Sequence, residues 1–197
     1  EMAMGLAYWC AVYQELPSSV SGPSPSRNWS EQLHRLASDP TPFLPFQRGL
    51  ITPRINHAAQ SKRLLDNLNT KKLSHISLED LRKTAALLQL KRNSITSLHG
   101  VTALHATRLL LERIPSLEPY VLPPLAHALM ALYLAEGHPS LDMKEDKAPS
   151  WKDIKLAVEK TKNDHSIKLA YSCQEEEKHY DDLTYRILAA QYLRLVY

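Results

Sequence analysis

The sequence predicts an all-α protein, an irregular multi-helix bundle with a Pro/Ser-rich loop near its N-terminus. Three observations lead there. Apolar residues recur at three- and four-residue spacing along most of the chain, capping signals precede several of those runs, and alternating β-branched runs are nearly absent. A chain of 197 residues, 44% hydrophobic and 23% charged, suits one domain spanning residues 1–197.

Each element has a local reason. Leu6, Trp9, Cys10, Tyr13 and Leu16 share a helical face ahead of Pro17 and predict an amphipathic first helix. Seven of the 13 prolines then fall between 17 and 53, with a Ser-Pro-rich run over 18–26. This predicts a long loop or insertion holding one short helix around 29–36. Ser77 followed by Asp80 predicts a capping box, with Ile76 and Leu81 as a staple, and a helix over 78–91. Residues 94–114 place Leu98, Val101, His105 and Leu109 on one side, and Pro115 stops them. Pro123 and Pro124 suit the first turn of a core helix that Gly137 ends. Residues 141–148 are charged and expected to be exposed. Ser150 with Asp153 caps a short helix bearing Trp151, Ile154 and Val158, and Asp164 is the cap expected for a helix over 165–180. A last helix is expected over 183–196.

Composition excludes several functions. The five glycines, at 5, 22, 49, 100 and 137, are too dispersed to write a dinucleotide fingerprint or a phosphate-cradling Walker loop. The net charge of +3 comes from basic residues scattered among acidic ones, so nucleic acid is not implied. No apolar stretch reaches the roughly 20 residues a bilayer span needs. Cys10 and Cys173 form neither a zinc spacing nor a disulfide framework, and a reducing, cytoplasmic setting is expected. Both are expected to be packing residues. The chain begins with Glu and enters a helical pattern at once, which predicts a processed protein or a piece lacking its upstream part.

The chemistry-bearing candidates are histidines, of which there are nine. His99 and His105 lie about 120° apart around a helix axis with Thr102 between them, so one helix cannot aim both at one metal. They suit either a shared pocket edge or one core and one surface position. Glu31 with His34 and Glu176 with His179 have the spacing used in carboxylate-bridged di-iron bundles. However, the first pair adjoins the proline-rich loop, and the second sits in a Glu-rich run that reads as a solvated face. His165 and Lys168 share one face at the start of a helix.

The string Leu98-His99-Gly100-Val101-Thr102-Ala103-Leu104-His105-Ala106-Thr107-Arg108 resembles the His-Gly-x-Thr-x-x-His-Ala-x-Arg helix of the questin oxidase-like family. Asp164-His165-Ser166-Ile167-Lys168 resembles that family's Asp-x-His-x-x-Lys segment, and the first helix, with its Leu6-Ala7 step, is similar to the family's Glu-Ala-Leu-Ala helix. The family's upstream His-Pro-x-x-His segment is absent, which fits an N-terminally incomplete member.

The resemblance implies a fungal oxidoreductase of secondary metabolism. It would act with NADPH and molecular oxygen in a Baeyer-Villiger-type cleavage of an aromatic polyketide of anthraquinone type. The family lacks a recognisable flavin or Rossmann motif, in keeping with the scarce glycines. By this implication His99, His105, His165 and Thr102 line the catalytic pocket, and Arg108 and Lys168 stabilise anions or cofactor phosphate, without a metal. Two other readings stand beside it: a non-catalytic helical scaffold, and an oxygenase in which the same histidines bind iron.

Overall fold

A computed structural model describes residues 28–46, 51–68, 76–142 and 148–195. Among these residues the chain forms nine α-helices and no strand, as the sequence predicts. The expected first helix, the Ser-Pro-rich run and most of the charged segment 141–148 lie outside the described residues.

Helix α1 (Trp29–Ser38) starts where the Asn28 side chain accepts the Glu31 N–H, and it buries Trp29, Leu33 and Leu36. It is the short helix expected inside the proline-rich stretch. Helix α2 (Ile51–Ala59) begins ahead of Pro53, earlier than the predicted loop end. A proline in the first turn forfeits only an N–H that has no helical partner anyway. Ser61 caps α3 (Lys62–Asn67).

Helix α4 (Leu78–Arg92) carries the predicted capping box of Ser77 and Asp80. It ends on Asn93 at φ 45°, a left-handed position that Asn tolerates. Ser94 begins a second capping box and α5 (Ile95–Arg113), which Pro115 stops through a single 3-10 turn. The buried stripe of α5 differs from the expected one. Leu109 is exposed and Arg108 is buried, because Arg108 finds one carboxylate partner, Glu176, on the helix that packs there and another, Glu112, one turn along its own helix.

Helix α6 (Glu118–Ala135) starts a turn earlier than predicted, so Pro123 and Pro124 lie inside it. Pro119 supplies the first-turn start. The two later prolines leave carbonyls of the exposed residues Pro119 and Tyr120 without their i+4 donors, and water reaches that end. Its second half, from Ala126 to Ala135, is the buried core helix expected from the sequence. The end is a Schellman motif: Gly137 at φ 78° lets His138 N–H reach the Tyr133 carbonyl and Gly137 N–H the Leu134 carbonyl, both at 2.9 Å.

Helix α7 (Trp151–Lys160) has the predicted Ser150/Asp153 box. Helix α8 (Asp164–Tyr180) is capped by Asn163 rather than Asp164: the Asn163 amide oxygen accepts the His165 N–H at 3.0 Å. Asp164 is therefore the first helical residue, where its charge favours the positive end of the helix. Helix α9 (Thr184–Tyr192) stops short of 196 because Arg194 turns left-handed at φ 60°.

Helix α5 packs against α4, α6 and α8, while α9 lies against α8 and α4. Leu81 and Leu88 of α4, Leu98 of α5, Met130 and Leu134 of α6 and Leu169 of α8 are all within 1% of full burial and form the centre. Gly100 permits the closest approach. A Cβ there would stand 2.8 Å from Leu132 Cδ2 and 3.5 Å from Ala85 Cβ. No helix among the described residues is long and apolar enough to cross a membrane.

Candidate functional site

The α5/α8 interface brings together five of the six residues singled out from sequence. Near the start of both helices the rings of His99 and His165 meet edge-on, with centroids 5.5 Å apart at 61°. His99 donates from Nδ1 to the Ile95 carbonyl at 2.6 Å, and His165 Nδ1 lies 3.1 Å from Asp164 Oδ1. Because a carbonyl oxygen only accepts, the proton of neutral His99 resides on Nδ1 and Nε2 is left as an acceptor. Thr102 is half-buried one turn along, its hydroxyl 3.4 Å from the His99 carbonyl.

Further along, His105 Nδ1 and Arg108 Nε both donate to Oε1 of Glu176, each at 2.7 Å. All three residues are 6% exposed or less. Arg108 also pairs with Glu112, and the Tyr171 ring stands edge-on to His105 at 5.8 Å. Burial pushes the Glu176 carboxyl up, but the hydrogen bonds and charge of His105 and Arg108 outweigh it and hold the carboxyl below its ordinary value. The dyad thus fixes the His105 ring by one nitrogen, with the other left for proton exchange.

Glu176 corrects the sequence reading of the 175–177 run as a solvated face. Glu176 is 2% exposed and Glu177 9%, the latter held by Arg186 and Trp151. The signal was the i, i+3, i+7, i+10 stripe of Ser166, Leu169, Cys173 and Glu176, which continues the buried face of α8. A further buried carboxylate also escaped sequence reading. Glu136, 2% exposed, meets Arg54 at 3.0 Å and clamps α2 to the end of α6.

Lys168 stands apart from the others. It is 68% exposed and pairs at 3.0 Å with Asp164, whose carboxyl it holds below its ordinary value. Arg108 is spent on two carboxylates. Among the described residues these two cations therefore make no cradle for the phosphates of NADPH. Glu31 and His34 are both exposed, and His179 is exposed while Glu176 is buried, so neither Glu-x-x-His pair converges. No group of three or more His, Cys, Asp or Glu side chains among the described residues is arranged to hold a metal ion. Cys173 is a packing residue, and burial pushes its thiol well up. Cys10 lies outside the described residues.

Beside His99, α2, α5 and α6 border a half-open pocket of about 220 Å³. Its walls are Ile55, Gly100, Ala103, Leu125, Leu129 and Leu132, with His99 and Thr96 as the polar contributors. Thr96 is already engaged, its hydroxyl accepting from Arg54 at 2.6 Å.

No protein-family model matches the chain, and no curated protein or solved structure matches it significantly.

Proposed function

We propose that this chain is an oxidoreductase of the questin oxidase-like kind, using NADPH and molecular oxygen in a Baeyer-Villiger-type cleavage of an aromatic polyketide of anthraquinone type. One observation carries the reading. The two stretches that bear the resemblance, 99–108 and 164–168, are distant in sequence yet lie across one helix interface, with the His99 and His165 rings in contact. Overall, one atom of O2 enters beside a ring carbonyl and the other leaves as water, with two electrons from NADPH and uptake of one proton.

The described residues bear on two demands of that chemistry. Addition at the carbonyl creates an oxyanion, which needs donors, and cleavage of the O–O bond needs a proton. His99 and His165 offer Nε2–H when protonated, and Thr102 offers a hydroxyl on the same face of α5. His105, held through Nδ1 by Glu176, exchanges a proton at Nε2, while Arg108 positions Glu176. No step is assigned to the nicotinamide, since Arg108 and Lys168 do not form its phosphate site.

The non-catalytic scaffold has one observation in its favour: His99 is satisfied within its own helix by the Ile95 carbonyl. Kinetics separate the two readings. With an anthraquinone, NADPH and O2, turnover is expected to yield a product one oxygen atom heavier, and His105→Ala is expected to slow it about 100- to 10,000-fold. Absence of oxygen-dependent turnover, or turnover unchanged in His105→Ala, overturns the oxidase.

A further inference from the structure

We infer that the outer face of α7 and α8 is where two copies of this chain meet, with α7 of each copy lying antiparallel to its equivalent about a two-fold axis. Helical spacing sets the stripe that makes the contact. Lys152, Lys155, Leu156 and Glu159 stand at i, i+3, i+4 and i+7, so they share one face of α7, and all four are exposed. Beside that stripe a half-open groove of about 220 Å³ runs between the two helices, with the buried Ile154 and Ala170 at its base and Lys155 and Glu159 along one edge. Ile167 and Tyr171, one turn apart on α8, line the other side. Leu156, Ile167 and Tyr171 are 46%, 45% and 59% exposed, so apolar side chains flank the groove on both helices.

Charge selects the occupant. Along the stripe the cations come first and the anion last. A second α7 running the opposite way therefore sets Lys152 of each copy against Glu159 of the other, and lays the Lys155 methylene stem on the opposing Leu156. None of Lys152, Lys155 and Glu159 has a hydrogen bond or ion pair among the described residues. The reason is local: Lys155 precedes Glu159, the weaker order for an i, i+4 pair, and Lys152 lies two turns from Glu159. In the same register Asp153, near one end of α7, comes opposite Lys160 at the other. Size requires α8 as well. The 10 residues of α7 span about 15 Å, too little for the roughly 1,000 Å² that a specific interface buries, and Ile167 and Tyr171 widen the contact across the groove. The Tyr171 ring also stands edge-on to His105, so this face borders the α5/α8 site.

The inference does not depend on the oxidase reading. It is tested by sedimentation velocity of the whole chain from about 1 to 200 µM, the range in which an interface of minimal size dissociates. The native protein is expected to pass from monomer to dimer across that range. Lys152→Glu sets like charges against each other at both ends of the contact and is expected to weaken the dimer at least about ten-fold, as is Leu156→Ser, which removes the apolar centre of the stripe. The exchanged pair, Lys152→Glu with Glu159→Lys, restores opposite charges and is expected to recover native self-association. Both changes suit the ends of α7 where they fall, an acid in the first turn and a base in the last, so the helix keeps its stability and loss of the dimer reports the contact. Three results overturn the inference: a chain monomeric throughout, which leaves the face to a different protein; a dimer indifferent to Lys152→Glu and Leu156→Ser; or an exchanged pair that dimerises no better than Lys152→Glu.

Discussion

Replacing Glu176 by Ala removes the one acceptor shared by His105 Nδ1 and Arg108 Nε. Two charge-assisted hydrogen bonds are lost, and the Arg108 guanidinium keeps only Glu112, whose side chain is 44% exposed. Removing one partner from a buried ion pair costs about 3–5 kcal/mol, because the remaining charge stays desolvated. At about 2–4 °C per kcal/mol for a chain of this size, the melting temperature should fall by about 6–20 °C. Glu176→Gln keeps an acceptor oxygen and should lose roughly half as much. The sign of the pH dependence follows from the depressed carboxyl. Its contribution is complete above the ordinary value of 4.5 and is lost as pH falls through the lower folded value. The gap between native protein and Glu176→Gln should therefore be widest near neutrality and narrow in acid. Urea unfolding followed by circular dichroism measures these quantities. A Glu176→Ala protein within about 1 kcal/mol of the native one would refute the buried triad.

Other perturbations test other parts of the fold. His127 is 6% exposed, its Nε2 is buried without a hydrogen-bond partner among the described residues, and burial holds its pKa below 6.5. The unfolded chain thus binds the proton more readily, and stability should decline as pH drops below 6.5, by up to about 1.4 kcal/mol per pH unit. His127→Leu should flatten that decline in melts between pH 7.5 and 5.5, and an unaltered slope would exclude His127 as its source. Ser77→Ala removes a capping box on an exposed turn and should cost about 1 kcal/mol in denaturant unfolding. Glu136→Ala should cost about 2–3 kcal/mol and respond little to salt, since its Arg54 contact is largely buried; strong salt dependence would place the pair at the surface.

What was legible in the sequence was local. The Ser77/Asp80 and Ser150/Asp153 boxes and the Gly137 stop each depend on a few adjacent residues, and each forms as read. Helix α6 starts a turn before Pro123 and Pro124, because Pro119 and the 3-10 turn ahead of it already begin the helix. The cap of α8 shifted by one residue because Asn163 and Asp164 are both good caps, and backbone geometry rather than residue type decides between them. Glu176 was hidden by composition. A run of three glutamates suggests solvent, whereas the periodicity of α8 carries the middle one into the interface, where His105 and Arg108 of α5 donate to it. Arg108 was legible as a candidate, but its buried partner Glu176 was not, since that pairing depends on which helix packs against α5.

The most direct test of the α5/α8 site is the protonation pattern of its imidazoles, read by long-range proton–nitrogen NMR on histidine-labelled protein at a pH where the rings are neutral. The structure predicts Nδ1–H tautomers for both His99, donating to Ile95, and His105, donating to Glu176, with the His105 signals shifting strongly in Glu176→Gln. Nε2–H tautomers, or His105 signals indifferent to Glu176→Gln, would contradict it.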